Sequence, residues 1–171
     1  MNAMKAVTEP GRLNAVEKSS LLDAPEEPVF NEITASICKE LQAPISLISI
    51  VGADRQFFKS QQGMPADLQR TRQTSFRQSL CMYVVGCGHT LSIENLKEDP
   101  SFEQHAVIDD FKVLAYLGEP LIYMGEIIGS VCALDNQPRK WSENDIKYLK
   151  EASASVQAEL YYRNLNAFMK I

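Results

Sequence analysis

The 171-residue chain has no run of about eighteen apolar residues, so no segment reads as a membrane-spanning helix. Residues 1–10 lack the apolar stretch of a secretory leader, which makes the cytoplasm the expected compartment. Basic residues are outnumbered: 17 Lys and Arg face 22 Asp and Glu, a net charge of −5. The nearest basic group, Arg70, Arg72 and Arg77, is diluted by Asp67, so no surface for phosphate backbones is expected and nucleic acid is excluded as a partner. Histidine is scarce, and neither His89 nor His105 has a neighbour at ligand spacing. The four cysteines (Cys38, Cys81, Cys87, Cys132) contain no C-x-x-C pair. A metal site is therefore not expected, and in a reducing compartment the cysteines read as thiols. Glycine-rich nucleotide loops and the Gly-x-Ser-x-Gly elbow are absent. No nucleophile–base pair or carboxylate pair recurs at a spacing that marks catalysis, so the chain reads as a non-enzyme.

What is present suits one folded domain. Hydrophobic residues make up 45% of the chain, which excludes disorder, and a chain of this length needs no disulfide or metal to hold a core. Leu13, Val16, Leu21 and Leu22 mark a short helix over 12–22, broken by the two prolines in Asp23–Pro28. Val29, Phe30, Ile33, Ile37 and Leu41 recur at steps of three and four, one face of an amphipathic helix that Pro44 closes. The run I-S-L-I-S-I-V at 45–51 predicts a buried strand, with 56–61 returning as a hairpin. A short helix is expected over 75–85, ended by Gly86 and Gly88, and a strand over 90–94. Residues 95–110 read as a loop with one or two helical turns. Two strands, 113–123 and 127–135, form a hairpin about Gly125. Ser142 caps a final helix reaching about residue 168, in which Ile146, Leu149, Val156 and Leu160 make a narrow seam. That seam can face the body of the domain or a second copy.

This order gives an α+β fold: a central antiparallel sheet of five or six strands, terminal helices on one face, and a roof of loops and short helices on the other. A sheet roofed by loops readily encloses a small-molecule pocket. Candidate lining residues are Phe76, Tyr83, Phe102 and Tyr116, each equally suited to core packing. Gly118 shares a strand face with Tyr116 and leaves room either for a ligand or for a close backbone. Asp99, before Pro100, and His105 are candidates whose ordinary roles are turn and helix capping. Cys81 and Cys132 are candidates whose ordinary role is that of small buried hydrophobes.

Several pieces, in order, carry a family resemblance: Arg12-Leu-x-Ala15, Leu21-Leu-Asp-x-Pro25-Glu-Glu27, Pro44-Ile-x-Leu-Ile-Ser49, Asp54-Arg55-Gln56-x-Phe58-Lys59-Ser60, Thr74-Ser-Phe76, Leu80-Cys81, Asp99-Pro100, Ala115-Tyr-x-Gly118-x-Pro120-Leu121, Gly129-Ser-x-Cys132-x-x-Asp135 and Pro138-Arg139-x-Trp141-Ser142. Together they resemble the GAF domain of bacterial signal transduction, as found with histidine kinases, cyclic-dinucleotide enzymes and phosphatases. The resemblance implies a six-stranded PAS-like or profilin-like sandwich, the sixth strand lying near 67–74. It implies a flexible N-terminus at 1–11 and one domain over 12–160: helices 12–41, sheet and pocket 44–136, and a C-terminal helix from 142. A helical tail or linker follows at 161–171. It further implies an unidentified small-molecule ligand, a homodimer through the terminal helices, and an effector domain or kinase partner. Cys81 is followed by Met82 and Cys132 by Ala133, where bilin-binding members have Cys-His, so no covalent chromophore is expected. One enzymatic branch, the free methionine-(R)-sulfoxide reductases, carries a nucleophilic cysteine where His105-Ala-Val-Ile108-Asp109 stands here, with Ile108 in its place. That activity, and a scaffold module with no ligand, stay as alternatives.

Overall fold

In the computed structural model, which describes residues 2–169, β1 (Ile45–Val51) is buried along its whole length because it lies in the middle of a six-stranded antiparallel sheet. It pairs with β2 (Gln56–Gln62) on one side and β6 (Glu126–Asp135) on the other. The sheet runs in the order β3-β2-β1-β6-β5-β4. β5 (Ala115–Tyr123) turns into β6 through Met124 and Gly125, whose φ values of 54° and 78° make the left-handed two-residue turn that matches strand twist. Short edge strands close the sheet: β4 (Leu91–Ile93) beside β5, and β3 (Gln73–Thr74) beside β2. β3 is the sixth strand expected near 67–74; the rest of that stretch is the helix α4 (Ala66–Thr71).

Each sheet face has its own core. On one face α2 (Pro10–Ser19), α3 (Pro28–Leu41) and α7 (Glu143–Met169) cover Ile48, Ile50, Leu117, Leu121, Val131 and Ala133. The α7 seam lies here: Leu149, Val156 and Leu160 are buried against the sheet and Ile146 packs on their edge. The body of the domain, and not a second copy, occupies the face that the seam predicts. α7 starts as expected, Ser142 Oγ accepting from Asp145 N while Asp145 Oδ2 accepts from Ser142 N at 2.8 Å.

The roof on the other face consists of α1 (Ala3–Val7), α5 (Cys81–Cys87), α6 (Ala106–Phe111) and the loops between. Two expectations change here. Within the segment 1–11, expected to be flexible (Met1 lies outside the described residues), Ala3–Val7 forms α1, which buries Ala3 and Val7 in the roof-side core. Arg12 holds it there: its guanidinium, 3% exposed, donates to the carbonyls of Val7 at 2.6 Å and Gly52 at 3.3 Å. Burial lowers the Arg12 pKa to about 10, the charges of Glu126 and Glu9 opposing that shift. The helix expected over 75–85 is a 3-10 turn, Phe76–Gln78, followed by α5. The break falls at buried Ser79, whose hydroxyl donates to Gln56 Oε1 at 2.7 Å and accepts from Met82 N, so the backbone bends to serve a side chain.

Candidate functional site

Strand alternation decides which side chains face the roof. Leu47, Ser49 and Val51 of β1, Ser130, Cys132 and Leu134 of β6, and Tyr116 and Gly118 of β5 point that way. Tyr116 lies across Gly118: a Cβ built on Gly118 would sit 2.3 Å from the Tyr116 hydroxyl oxygen. Neither reading of Gly118, ligand or close backbone, is realised: the group that approaches it is this chain's own phenol. The Tyr116 hydroxyl donates to Cys81 Sγ at 3.3 Å and lies 3.3 Å from Ser130 Oγ. The sulfurs of Cys81, on α5, and Cys132, on β6, are 3.8 Å apart. The buried Ser49 hydroxyl, which has no hydrogen-bond partner, lies beside the group. Full burial opposes ionisation of Cys81, but the hydrogen bonds of Cys132 and Tyr116 and the nearby hydroxyls of Ser49 and Ser130 outweigh it and hold the thiol down at about 7. Cys132 and Tyr116 go the other way, pushed up by burial and by the charge that Cys81 carries when ionised.

The space expected between sheet and roof is therefore filled by protein atoms. A cavity of about 20 Å³ remains, bordered by Gln56, Phe58, Thr74, Leu80, Cys81 and Tyr116, which is room for a single water-sized molecule. Its polar wall is itself satisfied: Gln56 Nε2 donates to Thr74 Oγ1 at 3.0 Å and Gln56 Oε1 accepts from Ser79.

A wider opening on this face lies between the two roof segments, not beneath them. It is an open cleft of about 650 Å³ with Phe76, Arg77 and Tyr83 on one wall and the stretch Pro100–Asp110 on the other. Tyr83 packs edge-on against Phe102 with ring centres 5.0 Å apart and faces the His105 ring at 5.9 Å. His105 caps α6, its Nδ1 accepting from Val107 N at 3.3 Å, and burial lowers its pKa so that the neutral ring is favoured. Asp99 serves its own turn, Oδ1 accepting from Ser101 N at 2.9 Å. Of the nine residues expected at a binding site, the structure gathers Phe76, Tyr83 and His105 on this cleft with Phe102 beneath them. Cys81, Tyr116, Gly118 and Cys132 lie in the sealed layer below, and Asp99 lies at the turn that opens the cleft wall. Arg77, Gln104, Asp109 and Asp110 also line the cleft, and no periodicity marked them because Arg77 and Gln104 sit on turns and Asp109 and Asp110 on a single short helix, α6. Ser49 was visible in the sequence as a hydroxyl inside an otherwise apolar strand.

The far end of α7 is a separate feature. Tyr161, Leu165 and Phe168 are exposed and, with Ile122 and Met124 of the β5–β6 hairpin, border an apolar recess of about 450 Å³. Among the described residues, no group of three or more His, Cys, Asp or Glu side chains could hold a metal ion, and no helix is long and apolar enough to cross a membrane.

A family model described as the GAF domain matches residues 25–160. One curated relative, a protein named a cyclic di-GMP phosphodiesterase of Pseudomonas aeruginosa, is 30% identical over 156 residues. The alignment takes in 90% of this chain but only 26% of that relative, so the chain spans about a quarter of its length. Among solved structures, a GAF domain of Synechocystis in its photoproduct state superposes with a TM-score of 0.67 at 17% identity, over 89% of this chain and 100% of that one. The GAF domain of an Acinetobacter phosphoenolpyruvate-protein phosphotransferase gives 0.62 at 12% identity, over 92% and 96%. A free methionine-R-sulfoxide reductase of Neisseria meningitidis gives 0.63 at 16% identity, over 86% of each chain. At these identities the three structures speak for the fold alone.

Proposed function

Because this chain belongs to the GAF domain family, we propose that it is a non-catalytic sensory domain that takes a small polar molecule into the cleft between its two roof segments. The observation that carries this reading is the cleft itself. It combines an aromatic wall (Phe76, Tyr83), one guanidinium (Arg77) and a neutral histidine with acidic and amide groups opposite, a mixture suited to orienting a compact polar ligand. Its walls belong to two separate chain segments, so an occupant that touches both stabilises one arrangement of the roof over others, which is the requirement for a population shift. The roof packs on the sheet through α5, and α7 packs on the opposite face, so the sheet is the mechanical path from cleft to terminal helix. We assign the exposed end of α7 to the output: Tyr161, Leu165 and Phe168 form the surface on which a second copy would pair. The relative's name makes a cyclic-dinucleotide enzyme the effector class to try first.

The reductase alternative needs a sulfur where Ile108 stands buried in α6, and nothing favours it. A metabolite screen by thermal denaturation tests the sensory reading. At least one small polar compound is expected to raise the melting temperature in a concentration-dependent way, and Tyr83→Leu is expected to remove that rise. A ligand that stabilises the Tyr83→Leu protein as well as the parent would move the site elsewhere, and a full screen without any stabiliser would end this reading.

A further inference from the structure

The thiol pair beneath the roof is not used by the ligand cleft, and its surroundings differ from those of an inert packed cysteine. Two sulfurs from different elements, α5 and β6, lie 3.8 Å apart, with three hydroxyl-bearing side chains turned toward them and no salt bridge to either. A packed thiol needs none of those hydroxyls, and a cavity the size of one small molecule adjoins Cys81. The cavity wall also includes Gln78 and Phe111, both only half-buried, so part of that wall is made by side chains that reach the surface. Gln78 is held there by one hydrogen bond, its Nε2 donating to Asp110 Oδ2 at 2.7 Å.

We propose that Cys81 and Cys132 form a reversible oxidation site for a small hydroperoxide, closing to a disulfide that ties α5 to β6. Hydrogen peroxide enters past Gln78. The Cys81 sulfur attacks one peroxide oxygen; the O–O bond breaks, and the second oxygen leaves as water with the proton given up by the thiol. Cys81 is now a sulfenic acid. The Cys132 sulfur attacks the Cys81 sulfur; the S–S bond forms, the S–O bond breaks, and the hydroxyl leaves as a second water with the Cys132 proton. In sum, two thiols and one hydrogen peroxide give one disulfide and two waters, the two electrons passing from sulfur to peroxide oxygen. Cys81 is the attacking sulfur because the hydroxyls favour its thiolate, and Cys132 is the resolving one because burial keeps it protonated.

Closure has a structural consequence. A disulfide needs sulfurs about 2.05 Å apart, so the two side chains must draw together from 3.8 Å and the bond then ties α5 to β6. The far end of α5 carries Gly86, where an added Cβ would lie 3.0 Å from the Ala3 Cα of α1, so a shift of α5 is passed directly to the N-terminal helix. A small-molecule reductant such as dithiothreitol reverses it.

The test uses the whole chain, purified under reductant, desalted and exposed to hydrogen peroxide. Non-reducing peptide mapping by mass spectrometry is expected to find a Cys81–Cys132 linked pair, two mass units lighter than the thiols, returning to thiols with dithiothreitol. In the Cys132→Ala variant a dimedone adduct is expected on Cys81, since nothing resolves the sulfenic acid. Gln78→Ala, which thins the cavity wall at the surface, is expected to speed the oxidation severalfold. If peroxide modifies only the more exposed Cys38 and Cys87, while Cys81 and Cys132 of the unsubstituted protein stay thiols, the proposal is overturned; that readout needs no variant to fold.

Discussion

The two faces of this sheet are built to different specifications. The helix-side face is covered by the long helices α3 and α7, and its apolar residues interlock in the ordinary way. A deeply buried charge there is partnered: Lys59, 0% exposed, meets Glu27, which in turn takes Arg163 Nη2 at 2.6 Å, and both cations approach the ring of Phe30, at 5.2 and 4.9 Å. The latch joins α3, β2 and α7. The roof-side face is covered by short helices and turns, and it buries a phenol, two thiols, several hydroxyls and an amide, leaving a small cavity and an open cleft. Long helices spread one apolar stripe over many strands, and the opening of about 780 Å³ on this side is the groove between α3 and α7 themselves. Short segments instead leave seams between separate stretches of chain.

The sharpest way to break the comparison is to put a side chain at Gly118. If the roof-side layer were a spare pocket, the change would be tolerated. With Tyr116 lying over it, Gly118→Ala is expected to cost about 3 kcal/mol or to prevent folding. The same change made in a Tyr116→Ala protein is expected to cost far less, because the ring it collides with is gone. Chemical denaturation of the four proteins of that cycle measures the coupling, and additive costs would restore the pocket.

Removing the latch tests the other face. Glu27→Ala leaves buried Lys59 without its carboxylate and frees Arg163, and is expected to cost about 2 kcal/mol and to loosen α7. The Arg163 hydrogen bond, more than that of Lys59, holds the Glu27 carboxyl below the usual carboxylate range. A depressed carboxyl contributes stability above its unfolded pKa and loses it as the pH falls through the folded value. Acid unfolding of Glu27→Gln is therefore expected to show a shallower dependence on pH in that range than the parent, by urea denaturation at each pH.

The smallest effect belongs to the roof. Burial lowers the His105 pKa, the Ser79 backbone opposing in part. Between the lowered value and the ordinary histidine pKa of about 6.5, the unfolded chain binds a proton that the folded chain does not, so stability falls as the pH drops through that window. His105→Asn retains a capping side chain and is expected to flatten this mild dependence. An unchanged slope, followed by denaturant midpoints from pH 7 to 5, would place the histidine outside the cleft's electrostatics.

The elements with strong local signals were legible. The strands at 45–51 and 127–135, the α3 stripe and the Ser142 cap appear where the residue pattern puts them, because alternation and helical spacing are imposed by local geometry. The helix expected over 75–85 fails at Ser79 because a hydrogen bond to Gln56, 23 residues away in sequence, outweighs local propensity. The site residues divide in the same manner. Phe76, Tyr83, Phe102 and His105 stood out as aromatic residues in a roof segment, whereas Arg77 on a turn and Asp110 on a short helix did not.

The sequence by itself determined an antiparallel α+β sandwich with polar groups set among apolar strands, since hydrophobic period and turn chemistry act over a few residues. Only the tertiary structure decided that Tyr116 occupies the space over Gly118, that the α7 seam meets its own sheet, and that two cysteines 51 positions apart come within 3.8 Å. Those outcomes depend on how layers separated in sequence fit together, and close packing lets only one set of side chains fill each space.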